Sequence, residues 1–439
     1  MKKSIVFIVF IMVSMNGLAQ QKVRPLSRIE KEQAINSIVS ILNTEYVFPE
    51  VAQKLSKNLQ ENLTKTRYQS ITNPNTFALL VTEDLQSISK DRHLRVFFAP
   101  DEIRVKRMVI STEDSIRYLQ EKADQMSKRN FGFKEVKILD GNIGYLDLRM
   151  FYDPHFAGET AIAAMQFLNR TDAIIIDLRN NGGGEPTMIQ LLSSYFFNST
   201  PTHLNNFYWR SSDMIQQTWT LPHVPGTRMP EVDIYILIGS GTFSAAEEFA
   251  YNFKNLNRAT LIGESTGGAA HAGDVKIVSE YFMIWVPNGR AISPITNSNW
   301  EGVGVEPDIK TNSQAALKCA KILALEKLLV RTGSAKEKNY LEWYLQSAKA
   351  GLNPVKMNIL ETESYIGTYG PRSVKVINED LYYQRSGPEY KLIPMGGDLF
   401  MIEELADFRL KFIRENNMIN ALQGVYRNGD VDVSLKDMN

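Results

Sequence analysis

A serine that follows a buried strand and opens a helix is the residue of this chain best placed for covalent chemistry. Residues 232–253 begin with an apolar, β-branched run, pass through a Gly-Ser-Gly-Thr turn and reach Ser244 before a helical pattern that contains Phe249 and Phe253. Backbone N–H groups and the positive end of the helix dipole converge at such a position. They would stabilise an oxyanion formed when the Ser244 hydroxyl attacks a carbonyl carbon. A helix N-cap is the alternative role for Ser244.

A glycine-rich turn follows a second buried strand. Residues 173–184 read AIIIDLRNNGGG, and Pro186 then suits the first turn of a helix. Three consecutive glycines bring bare backbone N–H groups close to any group beyond the strand end. A phosphate-binding loop is one alternative, but both the Gly-Lys-Ser/Thr ending and the Gly-x-Gly-x-x-Gly spacing are missing. A purely structural turn remains open.

Four motifs in chain order resemble those of the tail-specific, or C-terminal processing, serine peptidases, in the branch that includes the tricorn core protease and the interphotoreceptor retinoid-binding protein repeats. They are Asp-Leu-Arg-x-Asn-x-Gly-Gly at 177–184, Thr-x-Ser-Ala-Ala-Glu at 242–247, Gly-Glu-x-Thr-x-Gly at 263–268 and Gly-Val-x-Pro-Asp at 304–308. The resemblance is strongest over residues 140–312 and does not cover 350–439. It implies an α/β fold with a crotonase-like ββα-type core, and hydrolysis of peptide bonds at Ser244.

The resemblance also bears on the base that would activate Ser244. Enzymes with a Ser–Lys dyad carry the lysine just after the third motif, where this chain has Ala269, and the nearest lysine is Lys276 in a predicted strand. In the tricorn-like branch the base is a histidine from an upstream Asp-x-His-Leu segment. Residues 91–94 match that segment, so the resemblance implies that His93 is the base. His271, close to the third motif, is a second candidate base.

Further site residues follow from the same resemblance. Glu301 stands where the tricorn-like branch carries its acidic residue, and an exposed turn carboxylate is the alternative. The backbone N–H groups of Gly183 and Ala245 would hold the oxyanion. Arg92 occupies a position where tricorn-like enzymes have a serine, which departs from their four-residue relay but leaves the Ser–His pair intact.

Composition argues against several other classes of function. The chain has one cysteine, Cys319, and its five histidines lack the His-Glu-x-x-His spacing, so neither a metal nor a thiol nucleophile is predicted. The 49 basic and 49 acidic residues balance, which gives no reason to expect nucleic acid or an anionic membrane as partner. The expected partner is a peptide or protein substrate, with no cofactor; the oligomeric state is left open.

The first residues predict export. Lys2 and Lys3 precede an apolar run, and Gly17-Leu18-Ala19 provides small residues for cleavage. Residues 1–19 are therefore predicted to be a signal peptide, and the mature chain is expected in the periplasm or outside the cell. No apolar run reaches the roughly 18 residues that suggest a membrane span, so none is predicted.

Hydrophobic periodicity divides the remaining chain into three parts. Residues 20–100 are predicted to form a helical bundle and 101–335 the α/β core. Residues 336–439 are predicted to be a helical linker and a small antiparallel β domain.

Two functions from different classes fit this sequence. The first is an exported serine peptidase that forms an acyl-enzyme at Ser244. The second is a non-catalytic protein that binds a hydrophobic ligand on the same fold, as the retinoid-binding relatives suggest, because fold alone does not fix function. Retention of the serine, a histidine and the glycine turn favours the enzyme.

Overall fold

The computed structural model describes residues 24–108 and 112–437, so the predicted signal peptide, residues 1–19, lies outside the described residues. The described chain divides into two units. The first contains the residues up to 137 together with 145–170 and 176–310; the second contains 138–144, 171–175 and the residues from 311 onward. Nowhere along the described ranges is a helix both long and apolar enough to span a bilayer.

Proline and capping residues set the starts of most helices in the first unit. Five helices begin with a proline, whose fixed φ and missing N–H suit the first helical position. The first helix begins with a capping box between Ser27 and Glu30. The helices are α1 (Arg28–Glu45), α2 (Pro49–Thr64), α3 (Pro74–Ser89), α4 (Pro100–Met108), α5 (Thr112–Ser127), α6 (Pro154–Leu168), α7 (Pro186–Ser194) and α8 (Ala245–Asn255).

The strands before residue 311 form one large sheet and two small ones. They are β1 (Arg95–Phe98), β2 (Phe133–Leu139), β3 (Ile143–Leu148), β4 (Ala173–Asp177), β5 (His203–Trp209), β6 (Met214–Trp219), β7 (Asp233–Ile238), β8 (Thr260–Gly263), β9 (Gly273–Ile277), β10 (Phe282–Pro287), β11 (Gly289–Ile292) and β12 (Ile309–Lys310). The large sheet has the order β12-β8-β7-β4-β3-β2, and β8 pairs in parallel with both β7 and β12. Its strands β4 and β7 are almost wholly buried, as their continuous apolar runs predict.

Strands β4 and β7 end at the same edge of the large sheet. Leu178, just after β4, donates its N–H to the Leu237 carbonyl of β7 at 2.9 Å. The glycine turn and the Ser244 turn follow these two strand ends, so the sheet brings the two most informative motifs of the sequence together. Ligand sites of parallel sheets lie at this end of the strands.

The two small sheets are antiparallel, with the orders β11-β5-β6 and β1-β10-β9. Side chains of a strand alternate between its faces, so Asn205, Phe207 and Trp209 lie on one face of β5. Residues Thr218 and Gln216 of β6 stand opposite Asn205 and Phe207. This face becomes one wall of the site described below.

Helices α1 to α3 share a hydrophobic core with β10. The core contains Ile38, Leu55 and Phe77 from the three helices and Ile284 from β10, all fully buried. The helices agree with the helical pattern predicted within residues 20–100. Because β1 pairs with β10 and belongs to the same core, the loop between α3 and β1, which carries His93, is held by packing on both sides.

The described residues from 311 to 437 contain three helices and nine strands. The elements are α9 (Ala316–Arg331), α10 (Ala335–Leu352), α11 (Ile359–Ser364), β13 (Gly367–Tyr369), β14 (Arg372–Ile377), β15 (Asp380–Gln384), β16 (Tyr390–Lys391), β17 (Ile393–Gly396), β18 (Leu399–Met401), β19 (Phe408–Glu415), β20 (Met418–Tyr426) and β21 (Val431–Leu435). The strands form antiparallel sheets of four and five strands in chain order, as the alternating pattern predicts. The mixed α/β class predicted from the sequence is confirmed.

Candidate active site

Ser244 lies on a sharp turn between β7 and α8. Its backbone has φ 55° and ψ −121°, a conformation that costs a residue other than glycine roughly 1–3 kcal/mol. The Ser244 N–H donates to Glu247 Oε2 at 2.9 Å, and the N–H groups of Glu247 and Glu248 donate to the Ser244 carbonyl. Ala245, the first residue of α8, offers one of the free amides at the helix start. Strained strand-to-helix turns of this kind present a serine hydroxyl in hydrolases with a nucleophile elbow.

The glycine turn after β4 packs directly against Ser244. A Cβ placed on Gly183 would lie 2.8 Å from Ser244 Cβ, and Gly183 has a φ of +108°. Both facts require glycine at this position. The Gly183 N–H donates to Asn181 Oδ1 at 2.9 Å, and the Phe243 N–H donates to the Asn181 carbonyl at 3.0 Å. The amide predicted as an oxyanion donor is therefore held by a side chain in this structure.

A buried carboxylate, Glu247, joins the nucleophile turn to the third sequence motif. Besides the Ser244 N–H, it accepts hydrogen bonds from the Thr266 hydroxyl at 2.5 Å, the Gly268 N–H at 2.6 Å and the Ala269 N–H at 2.9 Å. Burial raises the pKa of Glu247, and these hydrogen bonds oppose the rise. Four donors around one carboxyl fix the turn after β8 against the start of α8.

The position that would carry a dyad lysine is occupied by alanine, which has no amine. Ala269 is fully buried, and its N–H is held by Glu247. Lys276 lies on β9 with its amine 3.5 Å from the Glu45 carboxylate, as expected for a residue on the strand surface. Within the described ranges, no lysine lines the cavity that contains Ser244.

His93 lies half-buried beside the nucleophile turn. Its ring packs against Phe243 with 4.9 Å between centroids, and against Trp285 with 6.2 Å. Desolvation lowers the pKa of His93 to about 4, against the opposing charge of Asp91. The Nδ1 atom is buried, and no described residue provides it with a hydrogen-bond partner.

Arg92 ties the His93 loop to the third motif. Its guanidinium donates to the Gly267 carbonyl at 2.6 Å and lies over the Phe243 ring at 5.5 Å. The residue that departs from the tricorn-like pattern thus holds the loop in place by a backbone contact, and its charge also lowers the pKa of His93.

His271 forms a buried pair with Asp91. Its Nδ1 lies 2.7 Å from Asp91 Oδ2 and 3.5 Å from Glu301 Oε2. Burial alone would lower the pKa of His271, but the hydrogen bond and charge of Asp91 outweigh it and raise the pKa. The other Asp91 oxygen accepts the His93 N–H at 3.0 Å. One carboxylate therefore holds both histidine segments.

Glu301 completes this cluster. Its Oε2 accepts the Ala270 N–H at 2.5 Å, whereas its Oε1 is buried and unpaired among the residues described. Burial, and then the charge of Asp91, raise the pKa of Glu301 to about 7, against the opposing effect of His271. The exposed turn carboxylate considered from the sequence does not fit this environment.

Asp91, His93 and Glu301 have the residue types of a metal site. One ligand atom from each lies within 4.8 Å of the others. Three ligands is the number found in catalytic zinc sites. A metal bound there would take the histidine nitrogen and carboxylate oxygens that could otherwise exchange protons.

A cavity of about 430 Å³ connects these groups. Ser244, Ala245, His93 and His271 all line it. Its size lies within the range of small-molecule and substrate pockets, roughly 300–1,000 Å³. Six aromatic residues add an apolar wall: Phe97, Phe207, Trp209, Phe243, Trp285 and Trp300.

The structure thus gathers the predicted residues Ser244, His93, His271 and Glu301 in one place. Sequence reasoning missed the role of Asp91, which binds both histidine segments. The Asp-x-His spacing was the available signal, because an aspartate two residues before a histidine can accept its backbone N–H, as it does here.

Two regions of the chain match known family profiles. Residues 142–311 match Peptidase family S41, and residues 25–129 match the N-terminal domain of Peptidase S41 in eukaryotic IRBP. The chain is 27% identical over 181 residues to a carboxy-terminal-processing protease of Bartonella bacilliformis. That match covers 40% of this chain and only about 40% of the relative's length.

Two solved structures of other proteins are also similar to parts of this chain. Mature CPAF has a TM-score of 0.48 and 13% identity, covering 69% of this chain and 99% of that one. The photosystem II D1 C-terminal processing protease has a TM-score of 0.40 and 13% identity, with coverages of 66% and 94%. The two profile matches cover the regions that carry the motifs, and residues 142–311 contain a Peptidase family S41 domain.

Proposed function

We propose that this protein is a serine peptidase that cleaves peptide bonds through an acyl-enzyme on Ser244. The observation that carries the proposal is the placement of Ser244, on a strained turn at a helix start and in the same cavity as His93. A serine hydroxyl is a poor nucleophile unless a base removes its proton. His93 is the base in this proposal.

Two features favour His93 over His271 as the base. A base must be neutral before it accepts a proton, and the pKa of His93 is lowered whereas that of His271 is raised by Asp91. His93 also packs on Phe243, the residue before Ser244. In this proposal the His271–Asp91 pair positions the His93 loop.

Glu301 is the proposed partner of the protonated base. Nδ1 of His93 and Oε1 of Glu301 are both buried and without a partner in the described part of the chain, and the two residues belong to one cluster of close polar atoms. Catalytic hydrogen bonds are often long in a free enzyme and tighten when substrate binds. A carboxylate at Nδ1 stabilises the imidazolium, as the aspartate of a serine-protease triad does.

The proposed reaction has two halves. His93 takes the hydroxyl proton as Ser244 Oγ attacks the peptide carbonyl carbon, and then gives that proton to the leaving amine as the C–N bond breaks. Ala245 N–H donates to the oxyanion, joined by Gly183 N–H once it leaves Asn181. His93 then takes a proton from a water that attacks the Ser244 ester, and it returns that proton to Ser244 Oγ as the ester C–O bond breaks and the carboxylic acid leaves. These steps require no cofactor.

Three finer statements belong to the same proposal. The core is of the crotonase-like ββα type, bounded near residues 101 and 335. The chain is exported, with residues 1–19 removed, to the periplasm or beyond. Peptides or proteins are its substrates, as the match to family S41 supports.

Binding of a hydrophobic ligand without catalysis is the second candidate. The aromatic cavity wall, including Phe207, Trp209 and Trp285, is the observation in its favour. An activated serine separates the two functions, because a ligand-binding protein has no need of one.

A fluorophosphonate probe tests this proposal. We expect the purified protein to be labelled on Ser244, and Ser244→Ala to lose both labelling and peptide hydrolysis. Ser240→Ala is the matched control, because Ser240 lies in the same turn and lines the same cavity. Labelling that survives in Ser244→Ala, or an unlabelled wild type that binds apolar ligands, would reject the peptidase mechanism.

A further inference from the structure

The cavity contains a buried carboxyl that the proposed reaction does not use. Glu248 is 2% exposed and lines the cavity, and its Oε1 has no hydrogen-bond partner in the described structure. It follows Ser244 by four residues, and residues four apart share a helix face. Four helical residues advance about 6 Å, so Glu248 stands one turn below the nucleophile on the cavity side.

The pocket wall next to Glu248 changes from polar to aromatic. Asn205 and Thr218, paired across β5 and β6, are almost completely buried, and Asn205 acts to lower the pKa of Glu248. Phe207 and Trp209 continue the same face of β5 and line the cavity. The aliphatic stem of a long side chain can pack on such rings while its polar end reaches the carboxyl.

The remaining charged groups divide the cavity into two sides. Asp153, Glu185 and Asp274 add negative charge to the lining. Burial, and then the charges of Asp153 and Asp274, raise the pKa of Glu185 to about 7. Arg92 and Arg95 lie on either side of His93, in the base loop and at the start of β1, and the Arg92 guanidinium already binds a backbone carbonyl.

We infer that this cavity selects a substrate side chain that ends in a cationic nitrogen, a lysine or arginine next to the scissile bond, with Glu248 as the residue that determines specificity. The inference rests on the proposed function. A buried carboxyl with one unpaired oxygen is costly, and a cation gives that oxygen a charge-assisted partner. A neutral apolar side chain of equal length would leave it unpaired.

The protonation of Glu248 is consistent with this role. Burial raises its pKa to about 8, against the effects of Asn205 and Asn252. In the empty pocket near neutral pH the carboxyl is therefore largely protonated. A bound cation favours the ionised form, so binding should release a proton.

Binding to Ser244→Ala protein tests the pocket without relying on catalysis. The probes are two peptides, acetylated and amidated at their ends, that differ only by lysine against norleucine. We expect the lysine peptide to bind at least about tenfold more tightly, with the difference lost when Glu248→Gln is added. Glu159→Gln, an exposed carboxylate on α6, is the control that should keep it.

A third peptide separates the two sources of positive charge. It carries norleucine and a free N-terminal ammonium. If it binds as tightly as the acetylated lysine peptide, the site recognises a chain terminus and the side-chain inference is wrong. Equal binding of the lysine and norleucine peptides would also overturn it.

Activity of the Ser244-containing protein distinguishes the two proposals. Probe labelling and cleavage without a lysine or arginine preference would reject the role of Glu248 and leave the peptidase mechanism standing. A lysine preference in binding, without labelling or cleavage, would reject the peptidase mechanism and leave the cation-binding role of Glu248 standing. Loss of the lysine preference in cleavage by Glu248→Gln is the expected result.

Discussion

Replacing Glu301 by glutamine identifies which group controls the pH dependence of catalysis. Desolvation lowers the pKa of His93 to about 4, whereas burial and then the charge of Asp91 raise that of Glu301 to about 7. In the proposed mechanism the active form has a neutral His93 and an ionised Glu301. The rise of kcat/KM should therefore be centred near pH 7 and not near pH 4, with a loss of about tenfold at pH 6 and about a hundredfold at pH 5.

Glu301→Gln keeps an oxygen that can accept the Ala270 N–H but removes the ionisable group. Loss of the carboxylate in a serine-protease triad lowers kcat by about 10⁴, and we expect a fall of about 10²–10⁴ here. The rise of kcat/KM near pH 7 should disappear in this variant. Asp91, His271 and Glu247 also face this region, and Glu247 and His271 have raised pKa values. Any titration that remains in the pH dependence of kcat/KM of Glu301→Gln would therefore belong to one of these groups.

The assay is hydrolysis of a fluorogenic peptide between pH 4.5 and 9, with circular dichroism to confirm folding. Glu306→Gln is the control, because Glu306 lies in the same segment but is exposed and pairs with Lys310 at 2.7 Å. A Glu301→Gln variant that keeps its limb near pH 7 would show that a histidine titrates there. A loss of less than about tenfold would remove Glu301 from the relay.

Three further changes probe the surroundings of Ser244. His271→Asn should lower kcat/KM by about tenfold and spare slow probe labelling, because His271 positions and does not accept the proton; complete loss would transfer the role of base to it. Gly183→Ala should abolish labelling and lower the free energy of unfolding in urea by about 1–3 kcal/mol, since φ is +108° and its Cβ would meet Ser244 at 2.8 Å. Glu248→Gln should raise the thermal midpoint at pH 9 but not below about pH 4.5: burial raises the pKa from 4.5 to about 8, so the wild type loses stability as the pH rises through that window. An equal shift at both pH values would contradict the burial of this carboxyl.

The local parts of the site could be predicted from the sequence. The apolar run, the turn and the helical pattern around Ser244 lie within about 20 adjacent residues, where periodicity is informative. The glycine turn could also be predicted from local sequence, because only glycine allows the backbone to approach another strand end so closely. The role of His93 needed a family resemblance, since no local pattern connects it with a serine 151 positions later.

Contacts between distant segments explain what the sequence could not supply. The pair between Asp91 and His271 joins residues 180 positions apart. The pattern of residues 20–100 predicted a helical bundle but not that its core would include β10, because an apolar strand carries no information about its partner. Glu248 read as one more polar residue of a helix, and only the wall formed by β5 and β6 shows that it is buried.

The turn after β8 explains how this site can use a histidine in place of a lysine. Three consecutive residues of the turn, Ala269, Ala270 and His271, each contact a different part of the site. Their partners, in the same order, are Glu247, Glu301 and Asp91. In the proposed mechanism the turn therefore fixes the nucleophile, the acid and the base loop at once. Position 269 carries a methyl group and no amine, and no lysine among the described residues lines the cavity, so the proposed base comes from the loop before β1, which presents His93.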